Sequence, residues 1–117
     1  MDEPAFRVVV HLDETGSEKQ QSVLRNISNL LNDLGPEQSE IELVTHGPGI
    51  DVLLLGSAFA DQVRQLQERG VKMAICRNTL RGRSIPETQI LPDVTVVPAG
   101  IGELVRKQRE GWQYVRP

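Results

Sequence analysis

Short apolar runs rich in β-branched residues alternate with amphipathic stretches along the whole chain, and this order limits the fold more than any other property. Phe6-Arg7-Val8-Val9-Val10-His11 is nearly continuous in apolarity, as suits a strand covered on both faces. Ser17 is a possible N-cap, and from Glu18 to Leu34 the residues Val23, Leu24, Ile27, Leu30, Leu31 and Leu34 make one helical stripe. Gly35-Pro36 ends that helix, because glycine accepts a left-handed cap and proline cannot continue it. Ile41 to His46 reads as a second strand and Gly47-Pro48-Gly49 as a turn. The apolar piece Ile50 to Leu55 leads into a helix bearing Phe59, Val63 and Leu66, which Gly70 closes. Val71 to Cys76 is a third strand, and Arg77 to Pro92 is irregular, with one helical turn near Ile85 to Leu91. Val94 to Val97 is a fourth strand, a helix opens at Pro98 to Gly102, and Trp112 to Val115 is a short fifth strand.

Strands and helices in strict alternation imply a parallel sheet with helices on both faces, since right-handed crossovers leave few other arrangements. The expectation is a three-layer α/β sandwich of about five mostly parallel strands in the flavodoxin-like order 2-1-3-4-5. No linker, repeat or low-complexity tract divides residues 1–117, so they are read as one domain. A chain of 117 residues buries enough surface to need neither a disulfide nor a structural metal. The net charge of −3 argues against a nucleic-acid binder that relies on bulk positive charge. No apolar run approaches a membrane span. The acidic start Met1-Asp2-Glu3-Pro4 and the single cysteine point to a cytoplasmic, reducing setting. Cys76, His11, His46 and scattered carboxylates lack paired-ligand spacing, so no metal site is expected.

Ligands of such sheets bind beyond the carboxyl ends of the strands, where strand order reverses. In the assumed order this point lies between the first and third strands, at His11 and Cys76, with His46 and Pro98-Ala99-Gly100 further along the rim. Positive charge favours the reactive thiolate, and Arg77, Arg81 and Arg83 follow Cys76 within seven residues. Asn78 and Thr79 can hydrogen-bond a sulfur species or their own loop. His11 can orient the thiol or take its proton. Free amides around Gly47 and Gly49 can cradle an anion. Each feature also has a plain structural reading: a small buried cysteine, a strand-end histidine, a solvated arginine loop, an ordinary turn. Asp13-Glu14 resembles the acidic pair of receiver domains, but Cys76 stands where their phosphorylated aspartate would be. A chain only 3% aromatic has little with which to wall a flavin, so no cofactor is expected.

The valine-rich strand ending in His11, the segment Thr45-His46-Gly47-Pro48-Gly49-Ile50, and the run Gly70-Val71-Lys72-Met73-Ala74-Ile75-Cys76-Arg77-Asn78-Thr79-Leu80 resemble the DsrE/DsrF-like sulfur-relay family. The late Pro98-Ala99-Gly100 and Gly111-Trp112-Gln113-Tyr114 extend the resemblance over nearly the whole chain. It implies a flavodoxin-like fold, homo-oligomers (trimers or hexamers), and a cysteine that carries sulfur as a persulfide between donor and acceptor proteins. Cys76 maps onto that carrier, while His11, His46 and Asn78 match positions lining its pocket. The leading expectation is thiol-to-thiol sulfane transfer on Cys76, with Arg77 and Arg81 stabilising the anion. The alternative is a non-catalytic oligomeric module that binds a small anion or nucleotide at the same rim. The apolar run Val52-Leu53-Leu54-Leu55 is a candidate subunit contact.

Overall fold

The computed structural model describes residues 3–117; Met1 and Asp2, part of the acidic start, lie outside the described residues. Five parallel strands, β1 (Phe6–Leu12), β2 (Ser39–Thr45), β3 (Lys72–Cys76), β4 (Val94–Val97) and β5 (Gln113–Val115), form one sheet. The helices are α1 (Ser17–Leu34), α2 (Ala60–Glu68), α3 (Arg77–Gly82) and α4 (Gly100–Arg109). Short 3₁₀ turns span Pro36–Gln38, Gly47–Leu53 and Glu87–Gln89.

The three-layer, flavodoxin-like architecture stands as expected, but the strand order is 4-3-2-1-5 and not 2-1-3-4-5. Strand β3 pairs with β2, as Leu43 with Met73 and Thr45 with Ile75. The three-residue β5 takes the far edge beside β1. Both orders satisfy right-handed crossovers, and strands buried on both faces carry no periodicity that names their partners. The second strand, expected near an edge, is therefore the middle of the sheet.

This order dictates the layers. The chain steps from β1 to β4 in one direction, so its crossovers lie on one face, where the α1, α2 and α3 side chains Leu24, Ile27, Leu31, Val63, Leu66 and Leu80 meet Val8, Val10, Leu43 and Ile75. From β4 the chain returns across the sheet to β5, which puts α4 on the opposite face. There Val9, Val44, Ala74, Val97, Leu104 and Trp112 form a second, smaller cluster. Adjacent strands thus exit to opposite faces at β3 and β4, and that is the switch point. It is not between β1 and β3, because β2 separates them.

Local chemistry explains most boundaries. Gly16 (φ +98°), with no side-chain cap, precedes α1, so Ser17 is its first residue and not its cap. The segment 77–82, expected to be irregular, is helical because the Cys76 side chain caps it. Val52 and Leu53 are buried inside the monomer, and of that run only Leu55 is strongly exposed. No helix among the described residues is long and apolar enough to cross a membrane.

Candidate functional site

Cys76 is the last residue of β3, and its side chain points to the α4 face, as alternation from Ala74 requires. It is 5% exposed. Its Sγ accepts a hydrogen bond from the Thr79 amide at 3.4 Å, as the N-cap of α3. The amide of Gly100, the first residue of α4, also donates toward it. The sulfur thus sits where two helices begin. Burial pushes the Cys76 thiol up, but the Thr79 hydroxyl and the amides of Gly100, Thr79 and Asn78 together hold it below the ordinary cysteine value. A chain of donors stands behind this: the Gly47 N–H donates to Thr79 Oγ1 (2.9 Å), and the Thr79 hydroxyl in turn lowers the thiol's pKa.

Gly100 permits the close approach of α4. A Cβ there would lie 3.0 Å from His46 Cβ and 3.2 Å from its ring. Gly49 acts in the same way, since a Cβ there would lie 2.2 Å from the Leu12 carbonyl oxygen. The Gly49 amide donates to the His46 carbonyl, so with Gly47 on Thr79 the two amides expected to cradle an anion are already occupied.

The histidines form a second group on the same rim. His11 Nε2 and His46 Nε2 are 2.7 Å apart, and the rings stack with centroids 4.8 Å apart. His11 Nδ1 lies 2.7 Å from the Tyr114 hydroxyl. Both His11 nitrogens are therefore engaged away from Cys76, and β2 stands between their strands. This replaces the expectation that His11 orients the thiol or takes its proton. Burial holds His11 below the usual histidine range against the opposing pull of Asp13, and His46 and Arg116 lower it further. Asp13 Oδ2 lies 3.9 Å from His11 Nε2. Arg116 lies 3.0 Å from Asp13 Oδ1, close enough for charge attraction but not aligned as a hydrogen bond.

The arginines lie apart from the sulfur's hydrogen bonds. Arg77 pairs with Glu87 at 3.3 Å, Arg83 with Asp51 at 2.9 Å, and Arg81 is exposed in the last turn of α3. Peptide amides supply the positive potential that the sequence reading assigned to Arg77 and Arg81. A cleft of about 370 Å³, lined by Gly47, Pro48, Asp51, Thr79, Gly82 and Arg83, shares two residues with the thiol's donor chain. A larger cleft of about 570 Å³ near Leu55, Phe59 and Pro86 includes none of the expected site residues.

Sequence reasoning missed Tyr114, Asp13 and Arg116 as parts of the rim. Tyr114 reaches His11 only because β5 pairs with β1, opposite Val9, and nothing in the spacing of residues 103 positions apart reports that.

No curated protein matches the chain significantly. Among solved structures, protein MTH1491 of Methanobacterium thermoautotrophicum, of unknown function, is 38% identical over 96% of this chain and 99% of its own, with a TM-score of 0.91. The ychN protein of E. coli superimposes with a TM-score of 0.77 at 16% identity, over 97% of this chain and 99% of that one. Protein BT1422 of Bacteroides thetaiotaomicron, also of unknown function, gives 0.75 at 12%, over 95% and 94%. These last two establish likeness of fold alone. The DsrE/DsrF-like family model matches residues 7–117, from the first strand through the Cys76 niche to the C-terminus, and the chain belongs to that family.

Proposed function

We propose that this protein carries sulfane sulfur as a persulfide on Cys76, within the sulfur-relay role that its family membership supports. The observation that carries this reading is the set of donors converging on one sulfur at the start of two helices. Such an arrangement stabilises the thiolate relative to that of an ordinary cysteine, and the thiolate is the form that attacks.

In the forward step the Cys76 thiolate attacks the outer sulfur of a donor persulfide, R–S–SH. A Cys76 S–S bond forms, the donor S–S bond breaks, and R–S⁻ leaves with its bonding electron pair. The proton stays on the transferred sulfur, and no external oxidant or reductant is needed. Delivery is the same exchange in reverse, with an acceptor thiolate attacking the outer sulfur. The amides of Asn78, Thr79 and Gly100 hold the anion in both directions. Because Cys76 is nearly covered, the donor has to present its sulfur as a narrow, extended group.

Self-association completes the proposal. Ile101 and Val105 on α4 are 55% and 60% exposed, more than any residue of the Val52–Leu55 run. A trimer or hexamer buries them, and light scattering reads its mass; a strict monomer would remove this element alone.

Mass spectrometry after incubation with a persulfide donor is the direct test of the carrier role. One added sulfur on Cys76 is expected, with complete loss in Cys76→Ser. An unmodified Cys76, under conditions that load a control carrier, overturns the reading.

A further inference from the structure

We propose that His11, His46 and Asp13 form a binding site for a divalent transition-metal ion of the zinc type. His11 is on β1 and His46 follows β2, so neighbouring parallel strands deliver both rings to one face. Asp13 follows His11 by two residues and turns its carboxylate back toward the pair. One ligand atom from each of the three lies within 4.8 Å of the others. Two imidazole nitrogens and one carboxylate oxygen suit Zn²⁺ and its borderline neighbours, and do not suit Mg²⁺ or Ca²⁺, which prefer all-oxygen shells.

The surroundings are those of a ligand set. The Tyr114 hydroxyl, 2.7 Å from His11 Nδ1, fixes that nitrogen as the protonated one when it accepts, which leaves the Nε2 lone pair facing His46. Asp13 Oδ1 is attracted by Arg116 yet has no hydrogen-bond partner, and Oδ2 faces His11. Without metal, the 2.7 Å contact between the rings is a hydrogen bond, and with His11 protonated on Nδ1 its donor is His46 Nε2–H. On binding, His46 moves its proton to Nδ1 and both Nε2 lone pairs turn to the ion. Zinc–nitrogen bonds of about 2.0–2.1 Å place two tetrahedral ligands about 3.3 Å apart, so the rings part by roughly 0.6 Å from their 2.7 Å contact. His46 is only half-buried and Asp13 lies past the end of β1, so both have room to adjust. Three protein ligands leave a fourth position for water or a small ligand, the pattern of an open site.

This inference does not rest on the sulfur-carrier reading, because Cys76 is outside the ligand set. The test titrates Zn²⁺ by calorimetry and Co²⁺ by visible absorption into the full, tag-free chain after chelator treatment. One ion per chain is expected, with Co²⁺ bands of a nitrogen–oxygen site and no competition from Mg²⁺. His46→Gln and Asp13→Asn weaken binding by more than tenfold, and Tyr114→Phe by about ten- to a hundredfold. Cys76→Ser binds as the wild type does. Circular dichroism checks that each variant folds, and imidazole resonances of the wild type that shift on adding Zn²⁺ give a readout independent of any variant. Absent binding, binding unchanged in His46→Gln, or a sulfur-to-cobalt charge-transfer band overturns the site.

Discussion

On the face covered by α1 and α2, long aliphatic side chains interdigitate in one continuous core: Leu24, Ile27 and Leu31 from α1 against Val8, Leu43 and Ile75 from the strands. On the other face a single helix covers the same sheet. Its core is small, and the space beside it holds Cys76, the histidine pair and a buried carboxylate, Glu42. One face is thus built for cohesion, while the other gives up apolar packing for hydrogen-bonding groups that water would otherwise solvate. Every residue of the candidate site that points from a strand points to the thin side.

Truncating each face tests that division most strongly. Leu53→Ala, at a fully buried position of the thick face, is expected to cost about 4 kcal/mol, and Leu104→Ala on the buried side of α4 about 2 kcal/mol, because the thin face collapses more readily into the space left. Reactivity of Cys76 moves the opposite way. Leu53→Ala leaves alkylation of the folded protein unchanged, while Leu104→Ala slows it by loosening the start of α4. Denaturant melts paired with alkylation rates read both. Equal slowing in the two variants would mean that the niche depends on global stability and not on α4.

Glu42 sharpens the comparison through pH. Burial, and then the neighbouring Glu103 carboxyl, push its pKa up to about 8, against the smaller downward pull of Lys107 and Lys72. Its carboxyl lies 3.9 Å from Lys107, and Lys107 packs over Trp112 at 4.6 Å. The folded state therefore binds a proton that the unfolded chain has released above its ordinary value near 4.5. Stability from this group is complete below about 4.5 and is lost as pH rises toward 8. Glu42→Gln, which keeps the neutral shape, is expected to flatten the fall in melting temperature between pH 5 and 8 (both bounds approximate). An unchanged slope would place the titrating group elsewhere.

Thr79→Val removes the hydroxyl that stands between Gly47 and the sulfur. Hydrogen bonds to charged groups contribute about 1.5–3 kcal/mol, so alkylation at neutral pH is expected to slow by roughly tenfold as the thiol's pKa rises. Thr79→Ser, which retains the hydroxyl, restores the rate. If valine and serine behave alike, the backbone amides alone set the thiolate.

The sequence carried the layers but not the neighbours. Val8, Val9 and Val10, the stripe from Val23 to Leu34, and glycines 35 and 70 are local signals, and each marked its element. Which strand lies beside which is a long-range choice that such signals do not encode, so the order 2-1-3-4-5 was the wrong permutation of a correct architecture. The site was legible to the same degree. Cys76, His46 and Thr79 meet the rim because Cys76 ends β3, His46 directly follows β2 and Thr79 lies in the first turn of α3. The pairing of His11 with Tyr114 and the approach of Gly100 depend on β5 and α4, whose placement follows only from the return crossover. Arg77 and Arg81 misled because side-chain charge is visible in a sequence and aligned peptide dipoles are not.

Gly100→Ala gives the finest test, because it moves the helix without removing a donor. The added methyl meets His46 Cβ at 3.0 Å and its half-buried ring at 3.2–3.3 Å, contacts that a shift of a few tenths of an ångström relieves. The global cost is therefore small, about 1 kcal/mol or less. The Gly100 amide, however, is one of four groups lowering the thiol pKa, and the same shift lengthens its reach to Cys76. Alkylation near pH 7 is expected to slow by a factor of about two to five, with the midpoint of its pH profile displaced upward. Gly49→Ala is the contrast on the same loop, since its methyl strikes the Leu12 backbone, which has no such room. That variant should lose stability and leave the thiol's midpoint alone. If Gly100→Ala left the midpoint in place as well, α4 would cover the sulfur without polarising it, and the thin face would owe its chemistry to α3 alone.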